Sequence, residues 1–135
     1  MKPHVLITRP VSPEAVELLT SVCDTLPRID LGQRNRAEFD LVAGYANAIL
    51  MGTADRIDAA LMQRFPRLRV IACTFRLPEH IDIATCTRRG IWVTNVATRR
   101  CSNRDAEIEA ARNILDVIGG DTPRGAMNDI LLSAA

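Results

Sequence analysis

The sequence has no glycine-rich turn of the kind that binds a dinucleotide. It contains seven glycines, and no two of them have the spacing G-x-G. A pyrophosphate site needs that turn between a strand and a helix N-terminus. The glycines at 120 and 125 are spaced as in a phosphate loop, but Ala126 and Met127 replace the Lys and Ser/Thr that such a loop requires. We therefore expect no saturable binding of NAD by this chain.

Long apolar runs and an excess of one charge are also lacking. No stretch approaches the roughly 18 apolar residues of a membrane span, and the first residues lack the apolar core of a signal peptide. The net charge of the 135 residues is only +1, which does not favour a nucleic-acid partner. We expect a single cytoplasmic domain over residues 1–135, with no membrane or nucleic-acid partner.

Paired cysteines and a histidine-based catalytic group are not evident. No C-x-x-C pair occurs among Cys23, Cys73, Cys86 and Cys101, so we expect reduced thiols and no metal site. Three arginines are close to Cys101 in the sequence and would lower its thiol pKa. Two alternatives stay open for Cys101: a reactive thiol or an inert surface cysteine. His80 follows a predicted ligand loop, but no matched nucleophile accompanies it, so we predict no catalytic residue.

The most informative stretch runs from Leu68 to Val96. Val70–Cys73 is a short apolar run typical of a strand buried on both faces. Asp82–Arg89 fits a short helix that Gly90 ends, and Ile91–Val96 is a second β-branched, apolar strand. Parallel strands joined in this way leave the loop Thr74–Glu79 at the carboxyl edge of the sheet, where open α/β sheets bind ligands.

The same alternation extends over the whole chain. It predicts an α/β fold, a flavodoxin-like open parallel sheet of five strands in the order 2-1-3-4-5, with helices on both faces. The remaining predicted strands are His4–Thr8, Asp24–Ile29 at an edge, and Ala46–Met51. The remaining predicted helices begin at Ser12, cover Arg36–Tyr45 and Asp58–Phe65, and begin again at Ser102 in a capping-box pattern with Asp105.

The last helix is predicted to dock through one apolar face. That face comprises Ile108, Ala111, Leu115 and Ile118, and Gly119–Gly120 end the helix. Asp121–Asn128 is a predicted loop, and Asp129–Ala135 a tail with helical potential.

Several of these residues resemble the D-isomer-specific 2-hydroxyacid dehydrogenase family, and within it the phosphite dehydrogenases. The resemblance rests on Leu68–Ala72, Asp82, Arg89–Ile91, Val93, Asn95 and Val96, with ITRPVSPEAVELL and AEIEAARNILDVIGGDTPRGAMN at the two ends. It implies the family's substrate-binding domain, with residues 1–96 as the N-terminal segment and 104–128 as the C-terminal helix and loop. Residues 97–103 would then be a fusion junction where the family has its NAD-binding domain, and 129–135 a tail.

The resemblance also implies a site. The family binds a substrate carboxylate, or phosphite, with the loop that follows the fourth strand, and Arg76 stands there with Phe75 and Leu77. In the family, backbone N–H groups of this loop form a concave anion site, an amide nest. Here Leu77 replaces a glycine and Pro78 lacks an N–H, and both changes work against such a nest. Arg9 and Gly52, at the ends of the first and third strands, complete the predicted pocket. The alternative is that both arginines are solvated residues at the rim.

Three functions stay open at this stage. The chain binds a small oxyanion, or it is a fragment that needs a separate coenzyme-domain partner, or it is a truncated scaffold that self-associates as a homodimer. The family's catalytic Arg, Glu and His would lie in the NAD-binding domain, so we expect no dehydrogenase activity from this chain alone.

Overall fold

The computed structural model describes residues 2–52, 55–76, 79–96 and 103–133. Strands and helices alternate along these ranges. The strands are β1 (His4–Ile7), β2 (Asp24–Thr25), β3 (Ala48–Met51), β4 (Val70–Cys73) and β5 (Trp92–Thr94). The helices are α1 (Pro13–Thr20), α2 (Ala37–Ala43), α3 (Ala59–Gln63), α4 (Ile83–Arg88), α5 (Asn103–Ile118) and α6 (Ile130–Ser133).

The strands form one parallel sheet in the order β2-β1-β3-β4-β5, which confirms the predicted topology. β3 lies at the centre, with Leu50 opposite Ile7 of β1 and opposite Ala72 of β4. Every residue of β3, β4 and β5 is buried, as expected for a parallel sheet covered on both faces.

Successive strand residues point to opposite faces and build two cores. Ile49, Met51, Ile71 and Cys73 lie in the core beneath α2, α3 and α4. Ala48, Leu50, Val70 and Ala72 lie in the other core, beneath α1 and α5. The sheet is therefore the middle of three layers, with helices packed on both of its faces.

Polar side chains fix where three of the helices begin. Ser12 Oγ accepts from the N–H of Ala15, and Asp58 and Asp82 accept from the N–H groups of Leu61 and Thr85. These hydrogen bonds lower the pKa of both aspartates. Gly90 follows α4 with φ of 74°, a conformation that favours glycine and ends the helix where predicted.

Helix α5 docks on the sheet as predicted, but the most buried part of its contact face is shifted away from the larger side chains predicted to form it. Ala110, Ala111, Ile114 and Val117 are buried in the core, whereas Ile108, Leu115 and Ile118 are only partly buried at its margin. Small alanines therefore make up much of the buried face of α5. No helix in the described ranges combines the length and apolarity that a membrane span requires.

Two other predictions need correction. The edge strand β2 has two residues instead of the six predicted for Asp24–Ile29, because Pro27 has no N–H with which to continue the ladder. The helix predicted for Arg36–Tyr45 is shorter, covering Ala37–Ala43, and Leu41 and Tyr45 are 69% and 53% exposed. Only Phe39, Val42 and Ala43 of that helix are buried.

The segment before the tail covers the outer edge of β5. The N–H of Met127 donates to Val93 O at 2.8 Å, and Asn128 Oδ1 accepts from the N–H of Val93 at 2.9 Å. Helix α6 then packs against α4. The described part of the tail thus lies beside β5, and does not fold back over the carboxyl edge of the sheet. Whether the chain forms a dimer stays a prediction.

Candidate functional site

The carboxyl ends of three neighbouring strands bring the predicted site residues to one edge. Arg9 follows β1 by two residues, Gly52 directly follows β3, and Phe75 and Arg76 follow β4. The register of β1, β3 and β4 keeps these ends level: Ile7 lies opposite Leu50, and Met51 opposite Cys73. This edge is where open parallel sheets bind ligands.

Arg9 and Gly52 are in direct contact. A Cβ built on Gly52 would lie 2.6 Å from Arg9 Cδ and 3.1 Å from Arg9 Nη1. The arginine side chain therefore lies across the end of β3, in space that exists only because residue 52 has no side chain. The two residues that the sequence placed in one pocket are thus neighbours, and their part in binding a ligand stays a prediction.

Asp55 is a site residue that the sequence pattern did not reveal. Its Oδ2 accepts a 2.6 Å hydrogen bond from Thr8 Oγ1 and a 3.4 Å bond from the N–H of Gly52. The carboxylate ties the ends of β1 and β3 together and occupies the Gly52 amide. Gly52 consequently has no free N–H for a ligand, and the positive charge at this point comes from Arg9.

Two hydrogen bonds connect the loop after β4 to the end of β5. Asn95 Nδ2 donates to the carbonyl of Arg76 at 2.9 Å, and the N–H of Val96 donates to the carbonyl of Phe75 at 3.4 Å. Phe75 packs against the core, while the Arg76 side chain is exposed. Leu77 and Pro78 lie outside the described residues, so the predicted amide nest stays a prediction.

A buried asparagine of α5 stabilises this connection through two further hydrogen bonds. Asn113 of α5 is 2% exposed; its Nδ2 donates to Asn95 O at 3.3 Å and its Oδ1 accepts from the N–H of Gly125 at 2.9 Å. A Cβ on Gly125 would collide with the carbonyl of Asn95. Helix α5 thus holds the end of β5, and through Asn95 the loop that carries Arg76.

The structure describes His80, Cys73 and Cys86 among the other reactive side chains that the sequence offered. His80 is exposed, and its backbone carbonyl accepts from the N–H of Ile57 at 2.9 Å. Burial raises the pKa of the Cys73 and Cys86 thiols to about 12, so they are not nucleophiles at neutral pH. Cys101 lies outside the described residues.

The described residues do not fit an NAD pyrophosphate. The turn between β1 and α1 carries Arg9 and Pro10 where a dinucleotide site has glycines. The N–H of Ser12, at the start of α1, already donates to Glu107 Oε1 at 2.7 Å. No step that involves a bound nicotinamide is assigned to this chain.

Known proteins share this fold and part of this sequence. The chain is 40% identical over 95 residues to a glyoxylate reductase from Aeropyrum pernix, in a match that covers 70% of this chain and 28% of that protein. The chain thus spans under a third of the length of the curated relatives that it matches.

Two crystal structures are similar to this chain in fold over about 70% of its length. The PH0520 protein from Pyrococcus horikoshii OT3 matches with a TM-score of 0.62 and 27% identity, covering 72% of this chain and 28% of that one. The TT0316 protein from Thermus thermophilus matches with a TM-score of 0.58 and 30% identity, covering 68% and 30%. Residues 5–106 match the family model described as D-isomer specific 2-hydroxyacid dehydrogenase, catalytic domain. The chain belongs to the D-isomer-specific 2-hydroxyacid dehydrogenase family.

Proposed function

We propose that this chain is a substrate-binding domain that holds a small oxyanion at the carboxyl edge of β1, β3 and β4. The ligand is the carboxylate of a 2-hydroxy or 2-oxo acid. The contact between Arg9 and Gly52 carries the proposal, since it seats a guanidinium on the edge where parallel sheets bind ligands. Arg76 adds a second guanidinium on the neighbouring loop.

The chemistry of arginine suits this ligand. A guanidinium presents a planar fork of donors that pairs with both oxygens of a carboxylate. Relatives named glyoxylate reductase make glyoxylate the first ligand to test. Phosphite, which the sequence resemblance suggested, is the second, because a tetrahedral oxyanion accepts the same two donors.

The proposal assigns binding, not catalysis, to this chain. The β1–α1 turn does not fit a dinucleotide, so hydride transfer would need an NAD-binding domain supplied elsewhere in the natural protein or by a partner. A titration with NADH should therefore show no saturable binding to the chain itself. Tight, stoichiometric binding would contradict this part of the proposal.

Titration of the ¹⁵N-labelled chain with glyoxylate and with phosphite, followed by amide chemical shifts, tests the site. Saturable shifts should be centred on residues 9, 52 and 76. Arg9→Ala and Arg76→Ala should each weaken binding by about tenfold or more, since each removes a charge-assisted hydrogen bond. Arg89→Ala, exposed at the opposite edge of the sheet, is the matched control and should change nothing.

Gly52→Ala gives an independent test of the same geometry. The added methyl group would displace the Arg9 side chain without removing any charge, so binding should weaken as it does in Arg9→Ala. Gly32→Ala, at an exposed loop glycine, is the control. Equal affinities for Gly52→Ala and the unmodified chain would show that the seat of Arg9 does not matter for binding.

A further inference from the structure

An open cleft lies between β1 and the edge strand β2, on the side of β1 away from Gly52. Its volume is about 380 Å³. The apolar side chains that line it are Ile7, Val11, Val16 and Leu26, and the charged ones are Arg9 and Arg28.

The cleft exists because the edge strand stops early. β2 ends at Thr25, opposite Val5 of β1, and the N–H of Leu26 still donates to Val5 O at 2.9 Å. Pro27 then offers no N–H, and the chain leaves the sheet before the end of β1. Val11 of the turn before α1 and Val16 of α1 line the other side of the gap beside Ile7.

The walls combine apolar surface with uncompensated charge. The four apolar side chains are each partly exposed, and with Pro10 they supply the apolar part of the lining, to which Thr25 adds a hydroxyl group. Arg9 and Arg28 are exposed, and within the described ranges neither forms an ion pair with a carboxylate. A guanidinium next to aliphatic surface is complementary to an anion that carries a hydrocarbon chain.

We propose that this cleft is a second binding site, distinct from the oxyanion site, for an aliphatic monocarboxylate of about four to eight carbons. The carboxylate pairs with Arg28, and the hydrocarbon chain covers Ile7, Val16 and Leu26. Of the two proposed sites, Arg9 borders both and Arg28 borders only the cleft. The proposal does not depend on glyoxylate binding.

Four probes separate the contribution of the negative charge from that of the hydrocarbon chain. Hexanoate has the charge and the chain, acetate and inorganic phosphate have only the charge, and 1-hexanol has only the chain. Hexanoate should bind at least about tenfold more tightly than each of the other three. Because a buried methylene is worth about 0.8 kcal/mol, lengthening the acid from butanoate to hexanoate should tighten binding about two- to fourfold per added carbon.

Two variants locate the site. Arg28→Ala removes an exposed charge and should weaken hexanoate binding by about tenfold while leaving glyoxylate binding unchanged. Val16→Glu places a carboxylate on the wall of the cleft and should abolish hexanoate binding, with circular dichroism and thermal melting confirming the fold. Arg89→Ala is again the control.

Three outcomes would overturn the proposal. These are equal affinity for hexanoate, acetate and hexanol; hexanoate binding that survives Arg28→Ala; and amide shifts that avoid residues 7, 16 and 26. The oxyanion site is judged separately, by the response of glyoxylate binding to Arg76→Ala, so either site can fail without the other.

Discussion

The backbone N–H of Ser12 donates a 2.7 Å hydrogen bond to the side-chain oxygen of Glu107, a residue 95 positions further along the chain. Glu107 lies in α5 and is 6% exposed, and Ser12 is the N-cap of α1. An ion pair between Arg104 and Glu14 spans the same two helices. Helix α5 is thus attached to the N-terminal segment by specific polar bonds in addition to apolar packing.

Removing this acceptor should destabilise the chain. In Glu107→Ala the Ser12 N–H loses its partner in a largely buried setting, and the free energy of unfolding should fall by about 1–3 kcal/mol. Glu107→Gln retains an acceptor oxygen and should lose clearly less. Urea denaturation measures both, with the exposed Glu17→Ala as the control. Equal losses for Ala and Gln would mean that the hydrogen bond does not stabilise the fold.

The buried face of α5 can be tested by comparing two adjacent residues. Ile114 is 0% exposed, whereas Leu115 is only partly buried at the margin of the core. Ile114→Ala should cost about 2–5 kcal/mol, as for other large-to-small changes in a core, and Leu115→Ala should cost less than half as much. Urea denaturation of the two variants checks this. A larger loss for Leu115→Ala would restore the face predicted from the sequence.

The strands and their order were predictable because a doubly covered parallel sheet needs short, continuous apolar runs, and such runs are visible in the sequence. The face of α5 was not. Its inward side includes two polar residues, Glu107 and Asn113, and small alanines, so the larger Ile108 and Leu115 gave the stronger pattern. Each of these two polar side chains is buried together with a hydrogen-bond partner that lies outside α5.

The candidate site divides in the same way. The positions of Arg9, Gly52 and Arg76 at the carboxyl edge were predictable because these residues follow neighbouring strands, whereas their role in binding stays a prediction. Asp55 was not predictable, because its bond to Thr8 joins residues 47 positions apart. Asn95 shows only as a polar residue at a strand end, and its role depends on the path of the loop after β4. Residue patterns locate the edge of a sheet, but the partners across it depend on the tertiary structure.

One side chain, that of Asn128, makes three hydrogen bonds beside the outer edge of β5. Asn128 accepts from the N–H of Val93 and donates to the carbonyl of Ile91, at 2.9 Å in each case, and also donates to Thr87 Oγ1 at 3.0 Å. Asn128→Leu has a similar volume but makes none of these bonds, so the stability should fall by about 2–3 kcal/mol. Urea denaturation measures the loss.

The same variant should also associate. An uncovered strand edge presents free N–H and C=O groups that pair with another chain, so Asn128→Leu should form dimers or larger species in sedimentation experiments at concentrations where the unmodified chain does not change in mass. Asp129→Ala, a neighbouring exposed residue, is the control. A variant of unchanged mass and stability would show that the backbone of residues 125–127 is enough to protect the edge.

The buried thiol of Cys73 should make stability fall at alkaline pH. Burial, and then the neighbouring Cys86, raise its pKa from 9.0 to about 12. Above pH 9 the unfolded chain releases this proton and the folded chain retains it, so the folded state binds more protons and stability falls as the pH rises towards 12. Each such thiol contributes up to about 1.4 kcal/mol per pH unit in that range. Urea denaturation at about pH 8 and about pH 10.5 should show a steeper loss for the unmodified chain than for Cys73→Ala. Parallel losses in the two proteins would mean that Cys73 ionises equally easily in the folded and unfolded states.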